Sequence, residues 1–160
     1  YVLYARGFVR EGYEVLRSIY QMANDPVRAR IYPGIPEYFD SEGRGMYHYL
    51  TGSASWFVLT ELTQAFGVRG AGGDLLIAPK LVKEEFASDG KARVSCQFAG
   101  RPLTVAYENP QKLDYGSYKA KGVSLNGSPV AFELVSPTDV KIKRGALSAS
   151  PENYIIVVLG

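Results

Sequence analysis

The residues of this sequence best suited to chemistry are Thr51-Gly52-Ser53, two hydroxyls around a glycine, directly in front of an apolar segment. That segment, about residues 53–66, has apolar residues at helical spacing around most of its circumference, which predicts a buried helix. The first turn of a helix presents unpaired N–H groups and the positive end of the helix dipole, and both favour an anion such as phosphate. Gly52 would let the anion approach the backbone closely. The alternative is a plain Ser/Thr helix cap, and the pattern fits both interpretations.

The elements that must position these residues are helical in the first half of the chain. From about residue 5 to residue 23 the apolar residues recur at helical spacing, with a corner expected near Gly12 and an end at Asn24-Asp25-Pro26. The predicted inward face consists of Val15, Leu16, Ile19, Tyr20 and Ala23. Residues 31–50 lack regular periodicity and predict an aromatic-rich loop whose tyrosines suit either sugar stacking or packing.

The second half has the period of β-strands. Apolar and polar residues alternate at 92–98, 103–107 and 130–134, and Asn126-Gly127 is a strong hairpin signal. The glycine-rich stretch 70–73 is interpreted as an interdomain linker. The sequence therefore predicts an α+β protein in which residues 1–70 form helices with an active-site loop and residues 71–160 form an antiparallel β-sandwich.

Composition excludes several classes of function. The net charge of +2 is too small for a protein that tracks nucleic-acid phosphates. A single histidine, His48, and a single cysteine, Cys96, exclude a zinc site built from these residue types and an internal disulfide. The lone cysteine favours a reducing, cytoplasmic compartment, and no apolar run is long enough to cross a membrane.

The helices of the first half pose a packing problem. Two or three helices with wide apolar faces cannot enclose a core of their own, so they need a partner surface. The chain begins at Tyr1 rather than at a methionine. We therefore expect it to be a piece of a longer protein.

Five segments between residues 31 and 79 carry a resemblance to a known family, and the resemblance covers essentially the whole chain. They resemble the C-terminal region of glycoside hydrolase family 94, the inverting cellobiose, cellodextrin, laminaribiose and chitobiose phosphorylases. The segments are Ile31-Tyr32-Pro33-Gly34-Ile35-Pro36-Glu37-Tyr38-Phe39, Gly43-Arg44-Gly45-Met46-Tyr47, Leu50-Thr51-Gly52-Ser53-Ala54-Ser55-Trp56, Phe66-Gly67-Val68-Arg69-Gly70 and Gly73-Asp74-Leu75-Leu76-Ile77-Ala78-Pro79.

The resemblance implies a fold and an activity. Residues 1–70 would be the last helices of an (α/α)₆ barrel, and residues 71–160 a C-terminal, jelly-roll-like β-sandwich. The intact enzyme, a glycosyltransferase-type phosphorylase, would cleave a β-linked glucose di- or oligosaccharide with inorganic phosphate to give α-glucose 1-phosphate. Phosphate takes the place of the hydrolytic water, so the reaction needs a general acid but no catalytic base and no cofactor or metal.

The resemblance also assigns residues. Thr51 and Gly52 would bind phosphate, and Ser53 and Glu37 are weaker candidates for the same pocket. A carboxylate beside phosphate would need to be protonated or turned away, which makes Glu37 the less favoured. His48 does not match the family's phosphate-binding histidine and is interpreted as an ordinary loop residue. The family's general acid lies in an Asp-Trp-Asn-Asp type of segment, which this chain lacks, so no catalytic residue is expected here and the chain alone should be inactive.

The implied partners are a β-glucan oligosaccharide, phosphate, the rest of the barrel and a second copy of the enzyme in a homodimer. No nucleic-acid or membrane partner is expected. Two alternatives belong to other classes of function. One is a carbohydrate-binding β-sandwich with a helical preface, and the other is a purely structural or dimerisation domain.

Overall fold

A computed structural model describes residues 1–47, 51–148 and 152–160. The described residues form two compact units, 1–61 and 62–160. The chain is a mixed helix and sheet protein, as an α+β class requires. No helix among the described residues is both long and apolar enough to cross a membrane.

The first unit begins with two helices, α1 (Val2–Ala5) and α2 (Val9–Ala23). The break lies at Arg6-Gly7-Phe8 rather than near Gly12, because Gly7 takes a positive φ of 86° while Gly12 continues the helix. Gly12 is needed for packing, since a Cβ there would lie 2.6 Å from the ring of Tyr4. The helix ends before Asp25-Pro26, as predicted, and the Asn24 side chain donates to the Tyr20 carbonyl (2.8 Å).

The inward face of α2 is narrower than the sequence predicts. Leu16 and Ala23 are buried, but Val15 and Tyr20 are 49% and 56% exposed. The remaining buried positions of the helix are Val9 and Gly12. Two of the five residues predicted to face inward, Val15 and Tyr20, are thus exposed.

A two-stranded ribbon and a third helix complete the first unit. Strands β1 (Tyr38–Phe39) and β2 (Gly45–Met46) pair antiparallel. Helix α3 (Ser53–Thr60) follows and continues into a π-helical turn, Glu61–Ala65. Gly67 ends this segment with a positive φ of 68°, as expected for a residue just past a helix.

The second unit holds two sheets. The four-stranded sheet has the order β3 (Val68–Ala71), β4 (Asp74–Ile77), β10 (Val140–Ile142) and β9 (Glu133–Leu134). The five-stranded sheet has the order β5 (Lys91–Phe98), β6 (Arg101–Glu108), β11 (Asn153–Leu159), β7 (Ala120–Leu125) and β8 (Ser128–Pro129). Buried and exposed residues alternate clearly in β11, where Ile155, Val157 and Leu159 are fully buried while Tyr154 and Val158 are exposed.

Most of these strands pair antiparallel, in keeping with the predicted β-sandwich, but one pair does not. Strand β11 runs parallel to β6 and antiparallel to β7, so it joins the two halves of its sheet. The hairpin at Asn126-Gly127 connects β7 and β8, as predicted. The predicted strand at 130–134 is reduced to the two exposed residues of β9.

The glycine-rich stretch 70–73 is the turn of a hairpin and not a linker. Strands β3 and β4 pair on either side of Gly72 and Gly73, both of which have positive φ. The compact units divide instead after Glu61. Glycine pairs favour tight hairpin turns as much as linkers, and the apolar residues on both sides decide between the two.

Buried polar groups of the second unit are hydrogen-bonded. The Tyr118 hydroxyl accepts from the Leu81 amide (3.0 Å) and lies 3.0 Å from the Leu81 carbonyl. The Asn153 side chain, also fully buried, accepts from the Ser148 amide (2.8 Å) and donates to the Pro102 carbonyl (3.2 Å). Such pairing avoids the cost of burying an unpaired polar group, which is about 1–3 kcal/mol each.

Candidate functional site

The amino end of α3 carries the predicted phosphate-binding pair. Gly52 is the residue that caps α3, and it is exposed, while Thr51 is half-buried. Gly52 has φ −86° and ψ −6°, so its backbone would suit any residue type. A Cβ on Gly52 would lie 3.3 Å from Cδ1 of Trp56, and this close approach is the local reason for a glycine here.

Hydroxyl groups organise the turn before the helix. The Ser53 amide donates to Thr51 Oγ1 (3.2 Å), and the Thr51 and Ser53 hydroxyl oxygens lie 2.8 Å apart. The Ser53 hydroxyl also donates to the Ile35 carbonyl (3.3 Å), which fixes the turn against the loop before β1. The bond from the Ser53 amide to Thr51 forms a Ser/Thr turn before the helix and not the Ser/Thr helix cap predicted as the alternative, because the capping residue is Gly52 and no side chain makes a cap hydrogen bond.

The cap leaves part of the first turn of α3 open. The next paired amide along the helix is that of Trp56, which donates to the Gly52 carbonyl (2.8 Å). Within the described residues, the amides of Ala54 and Ser55 have no acceptor. Both residues are exposed. The turn thus presents N–H donors and the positive end of the helix dipole beside an exposed glycine.

The weaker candidates, Glu37 and Ser53, line one cavity together. Its volume is about 280 Å³, and its walls are mostly apolar. Glu37 is exposed, and its amide donates to the Tyr47 carbonyl (3.0 Å), which places it beside the short β1–β2 ribbon. Thr51 and Gly52 do not line this cavity. The structure therefore brings Glu37 and Ser53 to one cavity, whose walls do not include the pair predicted to bind phosphate.

Trp56 and its neighbours on α3 are less buried than a core helix would require. Trp56 is 57% exposed, and its ring contacts that of Tyr1 edge to face, with centroids 5.7 Å apart. Val58 and Leu59 are 63% and 42% exposed. The nearly all-round apolar surface of this helix, predicted to need burial, is uncovered on most sides within the chain.

One titratable group near the helix was not singled out in the sequence. Burial raises the pKa of the Glu61 carboxyl, which directly follows α3. Glu61 lies nine positions after Gly52, or roughly 13 Å along the helix axis, so it cannot touch an anion bound at Gly52. No signal in the sequence distinguishes Glu61 from an ordinary surface glutamate.

The other two residues considered in the sequence, His48 and Cys96, add nothing to the candidate site. His48 lies outside the described residues. Cys96 is half-buried in β5, where burial raises the pKa of its thiol. The described residues contain no group of three or more His, Cys, Asp or Glu side chains placed to hold a metal ion.

Comparison with known proteins adds no relationship. No protein-family model matches this chain, and no curated protein matches it significantly.

Proposed function

We propose that this chain is the C-terminal part of an inverting β-glucoside phosphorylase, and that Thr51 and Gly52 form one wall of its phosphate site. The observation that carries the proposal is the open first turn of α3. An exposed glycine, a fixed hydroxyl and two amides without an acceptor among the described residues meet at the positive end of a helix. This combination suits a dianion such as phosphate.

The resemblance of residues 31–79 to glycoside hydrolase family 94 supplies the reaction. Phosphate would attack the anomeric carbon of a terminal β-linked glucosyl unit while a general acid elsewhere in the enzyme protonates the leaving oxygen. The product is α-glucose 1-phosphate. Thr51 and the amides of α3 would hold the attacking phosphate, and Ser53 would keep the Thr51 hydroxyl in position through their 2.8 Å contact.

The surface of the first unit supports the barrel part of the proposal. Its helices expose large apolar residues on several sides, and the rest of an (α/α)₆ barrel would cover them. In the same proposal the intact enzyme is a cytoplasmic homodimer that takes a β-glucan oligosaccharide as its second substrate. It needs no cofactor, since phosphate is itself a substrate.

The first test is a titration of this chain with inorganic phosphate at constant ionic strength, followed by amide NMR shifts. The amides of Ala54 and Ser55 should shift. Thr51→Val removes one hydroxyl at nearly constant volume, and phosphate affinity should fall about tenfold, as expected for one hydrogen bond to a charged group. Gly52→Ala should also weaken binding, because its Cβ narrows the approach to the backbone.

The matched control is Thr138→Val in the second unit. Thr138 is a half-buried threonine whose hydroxyl is also hydrogen-bonded, to Asp139 Oδ1 (2.8 Å). Its substitution should leave the phosphate titration unchanged. Absence of shifts at the start of α3, or equal weakening by both threonine variants, would contradict the proposed phosphate site.

The second test is catalytic. This chain incubated with cellobiose and phosphate should release no glucose 1-phosphate, because it lacks the general-acid segment. In the intact enzyme, Thr51→Val should raise the KM for phosphate more than the KM for the sugar. Turnover by the chain alone would refute its assignment as an incomplete phosphorylase.

A further inference from the structure

The outward face of the five-stranded sheet contains a trough along β6. By strand alternation, Pro102, Thr104 and Ala106 point away from the core, opposite to the buried Leu103, Val105 and Tyr107. Thr104 and Ala106 are small and only 8% and 3% exposed. They form a floor between the side chains of the two neighbouring strands.

The walls of the trough follow from the strand register. On the β5 side, Ala106 faces Arg93, Thr104 faces Ser95 and Pro102 faces Gln97. On the β11 side, Thr104 faces Tyr154 and Ala106 faces Ile156. Two strand spacings separate the walls, which gives a width of about 10 Å.

Two cavities lie along this floor. One, of about 360 Å³, is lined by Ser95, Gln97, Thr104 and, beyond the start of β11, Glu152. The other, of about 570 Å³, is lined by Arg93, Ala106 and Tyr154 and continues to the segment before β5. Cavities of this size are typical of small-molecule and oligomer binding sites.

We propose that this trough binds a neutral oligosaccharide chain along β6, with Tyr154 as the stacking platform. Tyr154 is 38% exposed, and its amide donates to Asn126 Oδ1 (2.7 Å), which ties the strand to the neighbouring turn. An exposed aromatic ring suits the C–H faces of a sugar ring. This inference uses no residue of the α3 site and does not rest on the proposed phosphorolysis.

The polar groups of the trough match sugar hydroxyls, which both donate and accept hydrogen bonds. The Ser95 and Thr104 hydroxyl oxygens lie 2.8 Å apart, so together they keep donor and acceptor capacity for a ligand. The two cavities are lined by two basic residues, Arg93 and Lys91, and by four acidic ones, Glu84, Glu85, Asp89 and Glu152, and Lys91 is paired with Glu108 (2.8 Å). The surplus of carboxylates disfavours a polyanion, and carboxylates also accept hydrogen bonds from the hydroxyls of a neutral sugar.

An extended peptide fits this surface less well. Peptides that add to a sheet pair with the free main-chain groups of an edge strand. Strand β6 is paired on both sides, with β5 and with β11, so its face offers side chains alone. The geometry therefore favours a ligand recognised by rings and hydroxyls.

The test is a titration of the full 160-residue chain with a β-1,4-linked glucose pentasaccharide, by calorimetry and amide NMR. The amides of Ser95, Thr104, Ala106 and Tyr154 should shift together. Tyr154→Ala should weaken binding about fivefold. Ala106→Phe should abolish it, because the new ring fills the floor on its solvent side.

Phe132→Ala is the matched control, since Phe132 is an aromatic residue of the same unit with nearly the same exposure, 37%. It should leave the affinity unchanged, and Thr51→Val should do the same. Unshifted trough amides at millimolar sugar, shifts confined to residues 1–61, or equal weakening by Phe132→Ala would overturn the proposal. Shifts of the same amides by a neutral heptapeptide but not by the sugar would overturn it in favour of a peptide.

Discussion

The two compact units handle their apolar residues in opposite ways. Among the described residues, the first unit buries five hydrophobic side chains and exposes thirteen large ones, while the second buries twenty-one and exposes five. The second unit is the larger, but its size alone does not explain why it buries more hydrophobic residues than it exposes while the first unit does the opposite. Its two sheets each present one alternating apolar face, and this arrangement encloses a core. Short helices with apolar residues all round cannot do the same, so the first unit retains a surface suited to a partner.

The largest expected effect comes from the core of the second unit. Ile155→Ala removes three carbons from a fully buried position in β11 and should lower the free energy of unfolding by about 2–5 kcal/mol. Val58→Ala in α3 should change it by less than about 0.5 kcal/mol, because Val58 is exposed and alanine favours helix. Urea unfolding followed by circular dichroism measures both.

Trp56 allows the unfolding of the first unit to be followed separately by fluorescence, since it is the only tryptophan of the sequence and lies in that unit. If each unit depends on its own core, Ile155→Ala should leave the urea midpoint of Trp56 fluorescence in place while the sheet signal shifts. A large loss of stability in Val58→Ala would mean that the helical surface is already packed, and the contrast between the units would fail.

A smaller effect is expected in self-association. The exposed side chains of Trp56, Val58 and Leu59 give the first unit an apolar patch, and two copies of the chain should associate through it at high concentration. The double variant with Trp56→Ser and Val58→Ser should weaken association about tenfold in sedimentation velocity. Leu134→Ser and Val135→Ser, which change two exposed apolar residues of the second unit, provide the control. A wild-type chain that stays monomeric throughout would contradict this prediction.

The smallest effect concerns the polar surface of the second unit. The Lys143 ammonium (2.9 Å) and the Arg144 amide (3.1 Å) lower the pKa of the Asp74 carboxyl. A carboxyl whose pKa is lower in the folded state stabilises the fold above its unfolded pKa, near 4, and this contribution is lost as the pH falls through the folded value. Asp74→Asn and Lys143→Met should therefore both flatten the acid side of a plot of urea midpoint against pH. An unchanged acid slope in both variants would show that this ion pair is fully screened.

Sequence patterns predicted the local elements well where one period dominates. Alternation located β5 and β6, and Asn126-Gly127 located a hairpin, because both signals depend on neighbouring residues alone. The position of the corner in the first helices could not be predicted, since it depends on the Tyr4 ring occupying the space beside Gly12. The parallel pairing of β11 with β6 was also inaccessible, because alternation shows which face is buried but not which strand lies alongside.

The candidate sites also differ in how far the sequence could predict them. The hydroxyls before α3 were identified because a helix start has a recognisable signature, but the structure caps α3 with Gly52 and uses the Thr51 hydroxyl in the turn before the cap. The family resemblance made Glu37 a weaker candidate for the pocket of Thr51, and the cavity that Glu37 lines includes Ser53 but not Thr51 or Gly52. The trough could not be predicted from the sequence, because Thr104 and Ala106 form a floor only together with the residues that the strand register places on either side.

The central position of β11 has a consequence for biosynthesis. Strands β5 and β6 on one side and β7 and β8 on the other meet only through residues 153–159. A ribosome must therefore translate through these residues, and they must leave the exit tunnel, before the five-stranded sheet can close. Until then the nascent chain holds two half-sheets with unpaired edges, and such intermediates are prone to aggregate. We expect chaperones that bind exposed strands to engage this protein until residues 153–159 have emerged, and a stop codon just before residue 153 to yield an insoluble product.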